Sequence, residues 1–363
     1  MKKLIYLLTL VLLISSCNKK AKEKRTTINH KINLKISKNN KVFPRIYTID
    51  NYIDLDSDSI IENGNYIGIF KDSTIAFIGA FKNSKPEGLF HFYYFSGKLR
   101  ETRLYENGLE NGPFTFWNEM GFMTDCGNEK NGKLDGFYYT WWDNHNLRSK
   151  TFYRSGNPEG IEFYYFENGK IKSILMRKNG FTDGEFKEFY ETGQVQQTGQ
   201  YIRAYEIGTW KEYYLNGRLK TVKQFSKSLG EKELKKIHPY KKTMGEYNVS
   251  LPISTWLEYD SIGNIKTKTY HDKFFNITRK DEFYSSGKLF KRTRYNGEAP
   301  YMCSRHPGYK IKSGKFEEFY SDGKIKTIGF YTDNTKQGVW KYFENTGKII
   351  KTEKFKNDTL LTK

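Results

Sequence analysis

Glycines at 64, 88, 112, 136, 160, 184 and 208 recur every 24 residues, and each opens the same phrase. Gly88-Leu-Phe-His-Phe-Tyr-Tyr-Phe-Ser-Gly97-Lys-Leu99 returns as Gly160-Ile-Glu-Phe-Tyr-Tyr-Phe-Glu-Asn-Gly169-Lys-Ile171 and as Gly208-Thr-Trp-Lys-Glu-Tyr-Tyr-Leu-Asn-Gly217-Arg-Leu219. The phrase resumes less strictly at Ser254, Thr278, Gly314 and Gly338, giving eleven copies. A unit this short cannot bury its apolar face alone. Such a chain folds by stacking neighbours, and each unit touches only the next.

With the opening residue of each copy numbered zero, position two is aromatic except at Glu162 and Lys280. Position five is aromatic in ten copies, Tyr93, Trp117, Trp141, Tyr165 and Tyr213 among them. Position eleven is apolar in every copy, from Ile75 and Leu99 to Ile325 and Ile349, and position seventeen is often aromatic. Aromatic and β-branched residues in short runs suit a pleated, half-buried surface. Turn residues separate the runs twice per copy, around position nine (Asn168-Gly169, Asp322-Gly323) and around position twenty (Asn107-Gly108, Asn179-Gly180). Both pairs tolerate the positive φ angles of tight hairpins, and a turn about every twelve residues leaves no room for a regular helix. The expected fold is all-β, an elongated single-layer antiparallel sheet of hairpin repeats. Positions eleven and five are expected to be buried.

The phrase Gly-x-(Trp/Phe)-x-x-(Tyr/Phe)-(Tyr/Phe)-x-x-Gly-Lys-(Leu/Ile), followed by an aromatic and an Asn-Gly turn, resembles the MORN-repeat variant of the YwqK-like, or antitoxin-like, proteins. The resemblance spans roughly 64–357 and implies a MORN-like solenoid. Its antitoxin label implies a protein partner, which a toxin-neutralising or immunity-like role would require.

The N-terminus carries Met1-Lys2-Lys3, an apolar run from Leu4 to Ile14, then Ser15-Ser16-Cys17. That is a secretory signal, too short for a comfortable membrane span. Ile-Ser-Ser-Cys resembles a lipobox, which implies cleavage before Cys17 and its acylation, with palmitate as one acyl group. Asn18 in place of aspartate favours the outer membrane, and the basic stretch Lys19–Arg25 favours a periplasm-facing position over the cell surface. The organisation reads as signal peptide 1–16, acylated cysteine and disordered basic tether 17–28, and atypical β capping segment 29–63. Repeats one to seven follow over 64–227, a basic insertion over 228–253, and repeats eight and nine over 254–297. An insertion loop over 298–313 leads to repeats ten and eleven with the C-terminal end, 314–363. Glu231–Ile237 is expected to form one helical turn.

Little in the chain suggests chemistry. The six histidines have no metal-site spacing, and no phosphate-binding glycine loop or nucleophile elbow is present, so no enzyme and no cofactor are expected. Asp54-Leu-Asp56-Ser-Asp58 lacks the glycine and glutamate of a calcium loop and reads as an acidic turn. Cys303-Ser-Arg-His306 is the one thiol–imidazole cluster, and reads as a surface loop. Cys126 and Cys303 lie more than seven repeats apart, roughly 65–75 Å along stacked strands, so both are expected to remain thiols. Recurrent glutamates at position four (Glu188, Glu212, Glu258, Glu282, Glu318) read as a charge ladder with lysines.

The net charge is +20. Part of it is placed by the repeat, because position ten is Lys98, Lys170, Arg218, Lys288, Lys324 and Lys348 in six copies. Equivalent turns share one edge, so these cations form an interrupted row at multiples of about 10 Å. One account is protection of the sheet from aggregation. The other is a peripheral site for anionic lipid or glycan. Nucleic acid is disfavoured for an exported protein. The sequence therefore points to a non-enzymatic envelope lipoprotein acting as a protein-interaction module or scaffold, held to the membrane by its lipid.

Overall fold

The computed structural model describes residues 45–49, 62–70, 72–225, 253–272, 276–295 and 311–362, the first segment and residue 362 as backbone only. All belong to one unit, Pro44–Lys363. The described residues form one open sheet without a helix. From Gly64–Phe70 onward each strand pairs antiparallel with its neighbours in sequence, as expected. The exception lies at the start. Arg45–Ile49 runs parallel to Gly64–Phe70, pairing Arg45 with Tyr66 and Ile49 with Phe70.

Two hairpin turns alternate, and each follows from its sequence. In the outer turn the N–H of position six donates to the carbonyl of position ten, and the N–H of position nine donates back to position six. Tyr94, Gly97 and Lys98 do so at 2.9 and 2.8 Å. The same pair of bonds recurs in all eleven copies, from Phe70–Thr74 to Glu344–Lys348. Position nine sits at positive φ throughout. It is glycine in nine copies, with Ser73 (70°) and His145 (68°) in the others. This turn leaves one extra residue at position twelve, so position five pairs with eleven across a bulge, as Tyr165 does with Ile171. The inner turn has two residues, both at positive φ, as at Asn107 (52°) and Gly108 (86°). That is the twist a two-residue hairpin requires.

A second bulge explains the opening glycine. Ile78 pairs with His91 and Ala80 with Glu87, so Gly79 faces the three residues Gly88–Phe90. Gly88 takes φ 80° there, and Ser254 adopts 62° at the same position. Thr278 takes no such angle, and its bulge differs: it is a single extra residue between Ile277 and Arg279, which pair with His271 and Tyr270.

These bulges set which side chains are covered. Position two, not eleven, carries the core: Phe90 is 0% exposed, Trp210 3% and Trp340 2%. Each lies flat on a glycine at position fifteen of the preceding hairpin. A Cβ on Gly79 would meet the Phe90 ring at 2.3 Å, and one on Gly199 or Gly329 would meet Trp210 or Trp340 at 2.2 Å. An aromatic at position seventeen closes the group edge-on. Phe186, Tyr201 and Trp210 form one such triad, Phe316, Tyr331 and Trp340 another, and Tyr66, Phe81 and Phe90 a third. The expectation for positions eleven and five is corrected. Leu99, Ile171 and Leu219 are half-buried, Ile325 and Ile349 are exposed, and Tyr93, Tyr165 and Tyr213 are half-buried. A single-layer sheet offers them no second layer, whereas position two borrows the space that a glycine vacates.

The interruptions of the repeat do not interrupt the sheet. Thr221 pairs with Glu258 and Lys291 with Glu318 across them. The helical turn expected at Glu231–Ile237, the Asp54–Asp58 turn and the Cys303–His306 loop lie outside the described residues.

Candidate functional site

The outer turns form the most regular surface of the molecule. In six copies position six is tyrosine or tryptophan, and its hydroxyl or indole N–H donates to the position-five carbonyl of the following repeat. Tyr94 reaches Trp117 at 2.7 Å, Tyr190 reaches Tyr213 at 2.7 Å and Tyr320 reaches Phe343 at 2.7 Å. Trp142 reaches Tyr165 at 3.1 Å. Tyr214 to Tyr259 and Tyr284 to Phe319 make the same bond across the two insertions, at 2.9 and 2.8 Å.

The cations of position ten continue this stitching. The ammonium of Lys98 donates to the Glu119 carbonyl at 2.7 Å, Lys170 to Thr192 at 3.2 Å, Lys288 to Asp322 at 3.2 Å and Lys324 to Asn345 at 2.9 Å. Arg218 donates to the carbonyl of Ile262. Lys348 is exposed. The six thus share one edge, and in five of them charge is drawn against the turn carbonyls of the next hairpin. Asn144, Asn168 and Asn216 add amide donors to the same carbonyl rows.

Position twelve, the bulged residue, supplies a further set of cations that the repeat pattern did not single out. Arg148, Lys172 and Lys220 lie over the position-six rings of Trp142, Phe166 and Tyr214, at 4.8, 5.9 and 6.0 Å from the ring centres. Cations seated on aromatic faces are attracted by the ring quadrupole. The signal was present in the paired aromatics at five and six, but its meaning depends on the bulge. Among the position-four glutamates, Glu212, Glu282 and Glu318 pair with Lys220 (2.5 Å), Lys291 (2.7 Å) and Lys326 (3.2 Å), while Glu258 accepts from Thr267 at 2.8 Å.

Away from the edge, buried charges sit in shared clusters. Arg103 faces Glu101, Glu110 and Glu129 from above the rings of Phe114 and Phe116. Burial opposes its charge, but the three carboxylates outweigh burial and hold its pKa above the ordinary value. Burial raises that of Glu129 despite Arg103. Glu162 is held by Arg177 at 2.5 Å and by Thr151 at 2.7 Å. Lys150 is buried, with its ammonium 4.6 Å from the Phe137 ring centre, and burial lowers its pKa. Cys126 is buried on the strand Met123–Lys130. Among the described residues no cluster of three or more His, Cys, Asp or Glu is arranged to hold a metal ion, and no helix is long and apolar enough to cross a membrane.

A family model described as the MORN repeat variant matches residues 86–107, 158–179, 182–203, 206–227, 312–333 and 336–357. The match thus falls on six of the eleven copies. Each runs from an inner turn through the outer turn to the next inner turn, and the same turn bonds continue in the copies between the MORN-variant stretches. No curated protein matches the chain. Among solved structures, a porin-like protein from Bacteroides uniformis ATCC 8492 aligns over 62% of this chain and 86% of its own, at 11% identity and a TM-score of 0.21. The TcdB2-TccC3-Cdc42 structure aligns over 79% of this chain and 17% of its own, at 10% identity and a TM-score of 0.17.

Proposed function

We propose that the protein is a non-enzymatic, YwqK-like envelope lipoprotein whose hairpin surface is a scaffold for a protein partner. The observation that carries this reading is the bonding of one outer turn to the next, continued across both insertions, which makes the repeats one surface instead of separate hairpins. At the opposite end of the same strands, beside the opening bulge, Leu89, Ile161 and Val339 recur at position one and are 49–50% exposed. Repeated apolar side chains on an ordered face suit protein contact. The anchor is the acyl group on Cys17. It places the protein in the bacterial envelope, at the outer membrane and facing the periplasm.

Two experiments test this. Cys17→Ser should abolish incorporation of labelled palmitate and release the protein from the membrane fraction. Retention of label would remove the lipoprotein assignment. Cross-linking in envelope extracts should capture a defined partner with the wild type. The triple change Leu89→Ser, Ile161→Ser and Val339→Ser should lose that partner with an unchanged melting temperature. Equal capture by both would sink the scaffold reading.

A further inference from the structure

On one face of the sheet, the hairpins Thr255–His271, Ile277–Arg294 and Gly314–Thr332 bring five cations around two carboxylates. The cross-strand pairs are Lys268 with Asp281, Asp281 with Arg292, Arg292 with Glu317, and Arg279 with Arg294. Asp281 is 2% exposed. It takes both Nε (2.9 Å) and Nη2 (2.9 Å) of Arg292 and lies 3.3 Å from Nε of Arg279. Glu317 is shared by Arg294 at 3.1 Å and Lys315 at 2.7 Å. Each carboxylate thus answers two cations, and with Lys268 the cluster holds a surplus of three positive charges.

Two details set this surplus apart from an ordinary charge ladder. Arg279 and Arg294 stand directly opposite on neighbouring strands, a like-charge placement that destabilises a sheet unless anions offset it, and the carboxylates beside them, Asp281 and Glu317, are each shared with a second cation, Arg292 and Lys315. Arg279 is pinned with its guanidinium carbon 3.7 Å from the Tyr270 ring centre, yet its buried Nε has no aligned acceptor. The forks of both arginines stay partly open to solvent, with side chains 33% and 36% exposed. Guanidinium forks fixed by stacking and by a buried carboxylate are preorganised for bidentate contact with an oxyanion.

We propose that Arg279 and Arg294 together bind a tetrahedral oxyanion, a phosphate or sulfate group, on this face, separate from the lysine-bearing edge and independent of the scaffold reading. The anion bridges the two opposed forks, and Asp281 and Glu317 hold the forks in place.

The test is a titration of the full chain in detergent with inorganic phosphate, read by calorimetry and by melting temperature against chloride at matched ionic strength. Phosphate should raise the melting temperature more than chloride does. Arg279→Gln and Arg294→Gln should each weaken phosphate binding by about tenfold or more. Melting of Arg279→Gln in chloride gives the baseline for the lost Tyr270 and Asp281 contacts, and the gain on adding phosphate is read relative to it. Arg279→Lys, which keeps the charge and loses the fork, should also bind phosphate more weakly, and Lys170→Gln should bind it unchanged. Equal melting in the two salts, or phosphate binding that survives both glutamine changes, would overturn the site. Phosphatidylglycerol vesicles that displace phosphate from the wild type would assign the oxyanion to a lipid headgroup. Failure to displace it would assign the site to a soluble phosphate or sulfate ester.

Discussion

Arg203 and Ala204 close an inner turn that Asn-Gly closes in three other copies, and both stand at positive φ, 47° and 68°. A side chain in that region costs roughly 1–2 kcal/mol per residue. Replacing the pair by Asn-Gly should raise stability by about 1–2 kcal/mol, seen as a higher urea midpoint at unchanged slope. No shift would mean that the turn relaxes away from the described geometry. The glycines of position fifteen carry the opposite lesson. Gly199→Ala places a Cβ 2.2 Å from the Trp210 ring and should cost about 1–3 kcal/mol, with displaced tryptophan fluorescence. The inner turns were legible because Asn-Gly has a known backbone demand. Gly79, Gly199 and Gly329 were not, because a lone glycine in a strand has several uses. Its use here appears only when the next hairpin's aromatic is laid on it.

At the scale of the hairpin, packing is concentrated where the bulges direct it. Trp340→Ala should cost about 3–5 kcal/mol. Ile171→Ala, at a half-buried position, should cost about 1 kcal/mol. Comparable losses at both sites would mean that the glycine-seated aromatics are not the core. Tyr190→Phe removes one turn-to-turn hydrogen bond and should cost about 1 kcal/mol, with faster amide exchange at Gly193 and Tyr214. Strand, turn and period could all be read from the residues. The packed side could not, since two bulges per repeat shift the simple alternation that would make position eleven an inward residue. The lysines of position ten were legible as a row along one edge. Their bonds to the next turn were not, because those bonds join residues that only stacking brings together.

Across the whole molecule the protonation of tyrosine gives the clearest pH signature. Burial raises the pKa of ten of the described tyrosines, including Tyr93, Tyr165 and Tyr201, above the ordinary value of 10.0, with Tyr342 pushed up to about 12. A raised folded pKa means that the unfolded chain loses its protons first. These groups therefore leave stability intact below pH 10, and it falls as pH rises from about 10 through 12 and beyond. Ultraviolet titration should show the exposed tyrosines ionising first and the remainder ionising together with loss of sheet signal. Ionisation of all of them near pH 10 with the sheet intact would contradict the burial.

The two places where the 24-residue period breaks have one more consequence. Tyr214 and Tyr284 reach the next outer turn as though nothing intervened. The chain therefore counts hairpins, not residues. Extra sequence at these points leaves the pairing and the turn-to-turn bonds of the flanking hairpins in place. Such seams are where a lineage could exchange whole loops, or an engineer could graft a foreign peptide, without disturbing the phase of the repeats on either side.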